Sequence, residues 1–219
     1  MATDYARHWY TMAEVATHNT PSDCYVTIFG KVLNLTTLLS ENQTADVKLL
    51  IENAGSDISH WFDQFSGTLK TYVDPASNIR TYHLPMGPLL HAPPLRPGTD
   101  IDMSFAATGP WWRNKKYVIG ELSKKTRKIK LVNTLTGHEH VLEVPSEESV
   151  GESMTRYLAF NKHAFSYAAK HAGKLIDLQK TLEDNGVVDD AAELEELGMN
   201  PDEYLPCIHL YWIDDLSVA

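Results

Sequence analysis

Seven of the 11 prolines fall between residues 66 and 114: Pro75, Pro85, Pro88, Pro93, Pro94, Pro97 and Pro110. Each removes a backbone donor and fixes φ, so no helix of ordinary length survives there. The stretch reads as an irregular, loop-rich excursion with room only for short strands, at Lys70–Val73 and Arg80–Leu84. Regular structure has to be sought on either side of it.

Upstream, Tyr10-Thr11-Met12-Ala13-Glu14-Val15-Ala16 predicts a short helix capped by Thr11 with Val15 facing inward. After Pro21-Ser22-Asp23 the period changes from helical to alternating. Cys24–Phe29 and Gly30–Leu35 form two β-rich runs about a glycine, the pattern of a hairpin. From Thr36 to Phe62 the pattern is mostly helical.

Downstream, order returns at Trp111, and a Lys- and Arg-containing stretch, Lys124–Lys130, leads into a second unit with a domain boundary near residue 125. Ile129–Asn133 and His140–Val144 flank Thr134-Leu135-Thr136-Gly137-His138-Glu139 as a second hairpin. A helix should follow, with Val150, Met154, Tyr157 and Leu158 on its inner face. Ser146 is the expected N-cap, and Glu147 and Glu148 are expected near the positive end of its dipole. Asp189–Glu203 is acidic and reads as a solvated loop or short helix. Cys207–Ile213 reads as a last strand.

Charge narrows the function. The formal net charge is −10, which opposes capture of nucleic acid, since that requires clustered cations to displace counterions from phosphate. No run approaches the roughly 20 apolar residues of a membrane span. With Asp4, Arg7 and His8 near the start, no apolar signal core is present. The expectation is an intracellular protein with protein partners, no nucleic acid and no membrane. Cys24 and Cys207 are the only cysteines; they offer neither a disulfide framework nor a metal knuckle and read as buried small hydrophobes. There is no Walker loop, HExxH or GxSxG, and the pairs Asp189-Asp190 and Glu195-Glu196 lack the burial that would tune them for acid–base work, so no enzyme is expected.

Residues Tyr10–Val26, with Gly30-Lys31-Val32-Leu33-Asn34-Leu35-Thr36, resemble the opening of cytochrome b5 domains. Ala54-Gly55-Ser56-Asp57 resembles that family's Ala-Gly-x-Asp helix start, and Tyr117–Leu122 its closing strand. The resemblance covers residues 9–122, with 66–114 as an insertion, and implies an α+β cytochrome b5-like domain. In that family two histidines grip the haem iron. At the first ligand position this chain reads Asn42-Gln43-Thr44-Ala45, and at the second Phe65-Ser66-Gly67, so neither histidine is there. His60, beside the second position, and Tyr72, as a phenolate, are the candidate replacement ligands; His83 and His91 lie on the excursion. Leu84, Met86, Leu89 and Leu90 are the residues expected to fill a vacated pocket. No cofactor is expected to be held constitutively, and haem b is the one the resemblance leaves open.

Ile129–Gly137 and Leu142-Glu143-Val144 resemble the first hairpin of ubiquitin, and Ala172-Gly173-Lys174, Thr181-Leu182-Glu183-Asp184 and Ile208-His209-Leu210 its later signatures. This implies a ubiquitin-like β-grasp domain over residues 127–215. Asp214–Ala219 stands where ubiquitin carries its Gly-Gly tail, so a processed modifier is not expected. The positions of ubiquitin's apolar patch are Leu135, Lys170 and Tyr211, and the lysine puts a charge where an apolar partner would bury it.

The pairing of the two domains, with Pro110-Trp111-Trp112 in the insertion, resembles a family of cytochrome b5 domain-containing proteins associated with motile cilia. Its members are linked to the axonemal radial spoke stalk and to redox-dependent haem binding. The resemblance implies a structural and regulatory axonemal protein docking on radial spoke proteins, with Trp61, Trp111, Trp112, Leu135 and Tyr211 as interaction residues. The alternative is a haem-based redox sensor or electron carrier using His60 and Tyr72.

Overall fold

The structure, a computed structural model, describes residues 6–85, 87–95 and 109–213. Its backbone separates into residues 12–122 and a second unit made of residues 123 onward together with the N-terminal stretch through Thr11. In the stretch through Thr11, the carbonyl of Tyr10 in strand β1 (Trp9–Tyr10) accepts from the Ser123 N–H at 2.8 Å.

The first unit runs α1 (Met12–Thr17), β2 (Asn19–Thr20), β3 (Asp23–Ile28), β4 (Lys31–Asn34), α2 (Thr36–Glu41), α3 (Lys48–Glu52), β5 (Thr71–Asp74), β6 (Ile79–Tyr82) and β7 (Val118–Leu122). Val15 turns inward from α1 as expected. β3 pairs antiparallel with β2 and β4, in the register Tyr25↔Asn34 to Ile28↔Lys31, and β4 pairs with β7. The β3–β4 turn holds Phe29 at φ 49° and Gly30 at φ 77°. Two successive positive φ values make a primed turn, whose twist matches that of the strands it joins. The short strands expected in the excursion form as β5 and β6, a two-stranded sheet by itself.

The Ala-Gly-x-Asp signature has a local cause. A Cβ on Gly55, at φ +78°, would lie 3.1 Å from the Ala16 Cα and carbonyl oxygen. Glycine is required there because α1 and the motif touch through their backbones. Gly55 N–H donates to Tyr25 O at 2.7 Å, Thr27 N–H to Ser56 O at 3.1 Å, and Thr27 Oγ1 to Asp57 Oδ1 at 3.0 Å. The motif thus docks on β3 by its own hydrogen bonds.

The second unit continues with β8 (Thr126–Asn133), β9 (Glu139–Pro145), α4 (Val150–Tyr157), β10 (Tyr167–His171), β11 (Lys174–Leu175), α5 (Ala191–Glu196) and β12 (Cys207–Trp212). Its sheet order is β11-β10-β12-β8-β9, with β12 parallel to β8 and the other pairs antiparallel. A first hairpin, a helix, and a last strand returning parallel beside the first define a β-grasp. β8 alternates as a half-buried strand must: Arg127, Ile129, Leu131 and Asn133 point in, and Ile129 and Leu131 join Val144, Met154, Tyr157, Ile208 and Leu210 in the core. Residues 214 and 215, the expected end of this domain, lie outside the described residues.

The start of α4 corrects two expectations. Its N-cap is Ser149, not Ser146: Ser149 Oγ accepts from Glu152 N–H, and Glu152 Oε2 accepts from Ser149 N–H at 2.9 Å, a capping box. Ser146 directly follows β9, too early to cap a helix whose first turn begins at Val150. Glu147 and Glu148 do not serve the helix end either. Glu147 accepts from Ser123 Oγ and Lys124 N–H. Glu148 turns inward and is 1% exposed, accepting from Ser153 Oγ at 2.6 Å and from the Arg156 guanidinium at 2.9–3.1 Å. The same guanidinium donates to the Trp9 carbonyl at 2.9 Å, and His8 N–H donates to Glu152 Oε1 at 2.9 Å. The N-terminal stretch is thereby bound to α4.

Candidate functional site

The question for the first unit is what stands where a cytochrome b5 domain holds its cofactor. At the first ligand position α2 simply ends. Asn42 is its C-cap, and the Asn42 side chain donates to Leu38 O at 2.9 Å, so its amide is committed to the helix terminus. At the second position, Ser66 and Gly67 close a tight turn on Asp63, whose carboxylate accepts from Ser66 N–H at 2.8 Å and whose carbonyl accepts from Gly67 N–H at 2.8 Å. Those bonds to Ser66 hold the Asp63 carboxyl below the usual range. Phe65 points into solvent, 98% exposed.

The proline-rich excursion is bonded to both segments. At one end, Leu90 N–H donates to Asp46 O at 3.1 Å, beside the first position. At the other, Arg113 Nη2 donates to Ser66 O at 2.6 Å and Trp112 Nε1 to Gly67 O at 3.2 Å. Between these ties it sends side chains inward. Leu89, Leu90 and Trp111 are buried in one cluster with Trp61, Phe62, Leu38, Leu49 and Leu50, and Leu84, Ala92 and Trp112 pack against that cluster. Trp111 meets Phe62 edge to face with centroids 6.4 Å apart, and its indole N–H donates to Leu90 O at 3.1 Å. Of the expected pocket fillers, Leu89 and Leu90 are core residues, Leu84 is half-buried against them, and Met86 lies outside the described residues.

The candidate ligands occupy different surroundings. His60 is exposed on a 3-10 turn, Ser59–Trp61, its ring edge-on to Trp61. Tyr72 is 47% exposed on the β5–β6 ribbon, edge-on to His83, and lines a cavity of about 800 Å³ with Arg80, Tyr82, Leu84 and Leu89; His60 is not among the residues lining it. His91 is occupied as well, its Nδ1 accepting from Trp111 N–H at 3.2 Å. A six-coordinate haem needs two strong ligands facing each other across an apolar slot. The residues present do not fit that group: its ligand loops are tied down by other bonds, and leucine and tryptophan side chains are packed into the core beside them. No cluster of three or more His, Cys, Asp or Glu side chains able to hold a metal occurs among the described residues.

Burial also corrects part of the interaction set. Trp61 and Trp111, at 0% and 1% exposure, are core residues and cannot be surface anchors; the Trp61 indole N–H is buried without a partner. Trp112 is half-buried and spends its indole N–H on Gly67. In the second unit Leu135 (65%) and Tyr211 (43%) are exposed, and the Lys170 ammonium sits over the Tyr211 ring at 4.9 Å. The lysine thus makes a cation–π contact, its charge intact, at the centre of the expected patch. Leu135 is held by its turn, Asn133 Oδ1 accepting from the N–H groups of Leu135 and Thr136. Burial lifts the Cys24 thiol to about 11 and raises that of half-buried Cys207. No described helix is long and apolar enough to cross a membrane.

Comparison with known proteins gives the family of the first unit. Residues 11–123 match the model of the cytochrome b5-like heme/steroid binding domain. The chain is 44% identical over 211 residues to "Cytochrome b5 domain-containing protein 1" of Xenopus laevis, covering 95% of this chain and 96% of that one. To the protein of the same name from Homo sapiens it is 42% identical over 214 residues, covering 97% and 93%. Among solved structures, a ubiquitin of Caldiarchaeum subterraneum aligns with 41% of this chain and 95% of its own, at 23% identity and a TM-score of 0.31. With a rebuilt cytochrome b5-like half, a β-grasp half, and identity to these relatives along nearly its whole length, the chain belongs to the cytochrome b5 domain-containing protein 1 family.

Proposed function

We propose that this chain is a non-enzymatic docking component of the motile-cilium axoneme, acting within the radial spoke stalk and binding other spoke proteins through its two units. One observation carries the reading: Leu89, Leu90 and Trp111 of the excursion are buried in the first unit's core, and the segments at the family's two ligand positions offer no histidine. A domain kept in place of its cofactor chemistry retains shape and surface, and those are what docking uses. The ciliary setting rests on the resemblance of the two-domain arrangement to the family associated with motile cilia.

Two measurements test the reading in turn. Hemin is titrated into the purified chain, oxidised and then reduced, with His60→Ala as control. The expected outcome is no saturable Soret band; a band lost in His60→Ala supports the redox-sensor alternative instead. Tagged chain is then incubated with axonemal extract, and recovery of spoke proteins is expected. Recovery of none of them overturns the docking reading.

A further inference from the structure

Phe65 is 98% exposed, and the next large apolar side chain among the described residues, Leu197, is 74% exposed. A single exposed apolar residue is ordinary in itself. What sets Phe65 apart is the backbone that carries it. The turn is closed by Asp63 N–H donating to Thr68 O at 2.8 Å and Lys70 N–H to Trp61 O at 2.9 Å, with Ser66 Oγ and Thr68 Oγ1 2.7 Å apart. Arg113 and Trp112 hold it from the excursion through the Ser66 and Gly67 carbonyls. Trp61 and Phe62, which lead into it, are fixed in the core. Packing and hydrogen bonds thus brace a loop whose aromatic ring adds no burial to the unit.

The charge beside this ring is opposite to that of the chain, whose formal net charge is −10. Arg113 lies on the turn itself, and Lys70 and Arg80 line a hollow of about 510 Å³ with Asp63, Ser66, Thr68 and His83. None of the three cations forms an ion pair among the described residues. Arg80 Nε donates to Thr71 Oγ1 at 3.1 Å, which holds the guanidinium without neutralising it. Asp63 is the one carboxylate among the described lining residues. It accepts from Ser66 N–H, and Lys70 acts on it only from beyond ion-pair distance.

A partner that covers Phe65 has to offer an apolar recess, and carboxylates at the rim of that recess meet Lys70, Arg80 and Arg113. An aromatic ring held in place before binding costs little to order and suits the centre of an interface. A membrane surface fits less well. One ring and three cations fall short of the roughly four to eight clustered cations of a lipid-binding segment, and the net charge of the chain opposes an anionic leaflet. We infer that the Phe65 turn is a docking knob for an acidic segment of a partner protein, which buries the ring among aliphatic side chains and sets carboxylates against Lys70, Arg80 and Arg113. The inference rests on the docking reading above and names the face and the chemistry of one partner. A spoke pull-down that succeeds equally with the parent and with Phe65→Ser removes this face alone.

The probe is a fluorescein-labelled peptide of four Leu-Glu repeats, titrated onto the full chain by fluorescence anisotropy, with four Leu-Lys repeats as the charge-swapped control. Saturable binding of the acidic peptide is expected, with backbone amide shifts confined to residues 60–83 and 110–114. Phe65→Ser weakens it by about tenfold and leaves urea stability unchanged, because the side chain packs on nothing. Lys70→Gln with Arg80→Gln weakens it by a similar factor. Lys162→Gln with Lys174→Gln removes the same charge from exposed positions of the second unit and leaves affinity unchanged. Absence of saturable binding, full affinity in Phe65→Ser, or equal loss from both lysine-containing double variants overturns the site. So does sedimentation with vesicles of equal parts phosphatidylcholine and phosphatidylserine that is lost in Phe65→Ser, which would assign the knob to a membrane instead.

Discussion

Each unit carries one long insertion, and the two are treated in opposite ways. The excursion of the first unit goes inward: Leu89, Leu90 and Trp111 complete a core that α2, α3 and the sheet leave unfinished. The insertion of the second unit stays outside. None of the α5 residues is buried, and the segment is fastened by Lys125, Arg127 and Lys128. Composition decides which course a segment takes. A proline-rich loop forms few hydrogen bonds of its own and becomes ordered by burying aromatic and aliphatic side chains, whereas a run of carboxylates cannot be buried unpaired and is ordered by cations at its edge.

The comparison is broken most severely at Trp111. Trp111→Ala removes the largest side chain the excursion contributes and is expected to destabilise the first unit by about 3–5 kcal/mol in urea denaturation; a loss near zero would mean that the excursion does not complete the core. The second unit has its own buried weak point in the Glu148–Arg156 pair, whose side chains are 1% and 7% exposed. Arg156→Met leaves buried Glu148 with only the Ser153 hydroxyl as partner, at a cost of about 3 kcal/mol, while Glu148→Leu with Arg156→Met recovers most of that loss, short of the bond to the Trp9 carbonyl. A double variant as unstable as the single one would show that the charges themselves are needed. Ser149→Ala breaks the capping box and should lower stability by about 1 kcal/mol in the same assay, with Ser146→Ala well below that.

The smallest effect sharpens the account of the outer insertion. Burial raises the Asp189 carboxyl, but the hydrogen bond and charge of Lys125, with Arg127 behind, outweigh it and hold the group below its ordinary range. A depressed carboxyl contributes stability that is present above its unfolded pKa and lost as pH falls through the folded one. The strap therefore persists at neutral pH and loosens below about pH 4. Lys125→Ala should move that loosening to higher pH, seen as faster amide exchange in residues 189–198 on acidification. An unchanged midpoint would assign the hold to Arg127.

Much of the framework was readable from local pattern, since alternation, primed-turn glycines and proline positions act over a few residues. The hairpins around Gly30 and Gly137, the short strands of the excursion, α4 and the last strand all appear within a few residues of expectation. What escaped was whatever depends on a distant partner. Trp61 and Trp111 read as interface anchors or, more readily, as core, and only the fold reveals that they share a cluster. Glu148 looked like a helix-end charge because Arg156, eight residues on, becomes its partner only once α4 has turned. The capping box at Ser149 and Glu152 was present in the sequence and lost to Ser146, an earlier serine beside two acids. That Tyr72 lines a cavity whose lining does not include His60 is a matter of three-dimensional position, which no spacing encodes.

The bonds from His8 and Trp9 to α4 bridge 144 and 147 residues of chain. Residues 12–122 are an insertion in the chain of the second unit, and synthesis finishes them while the N-terminal stretch still lacks the helix it will join. The second unit can close only when both of its separated segments have been made. Because closure entropy grows only logarithmically with loop length, so long a detour adds little to the equilibrium cost; its mark is left on the order of events.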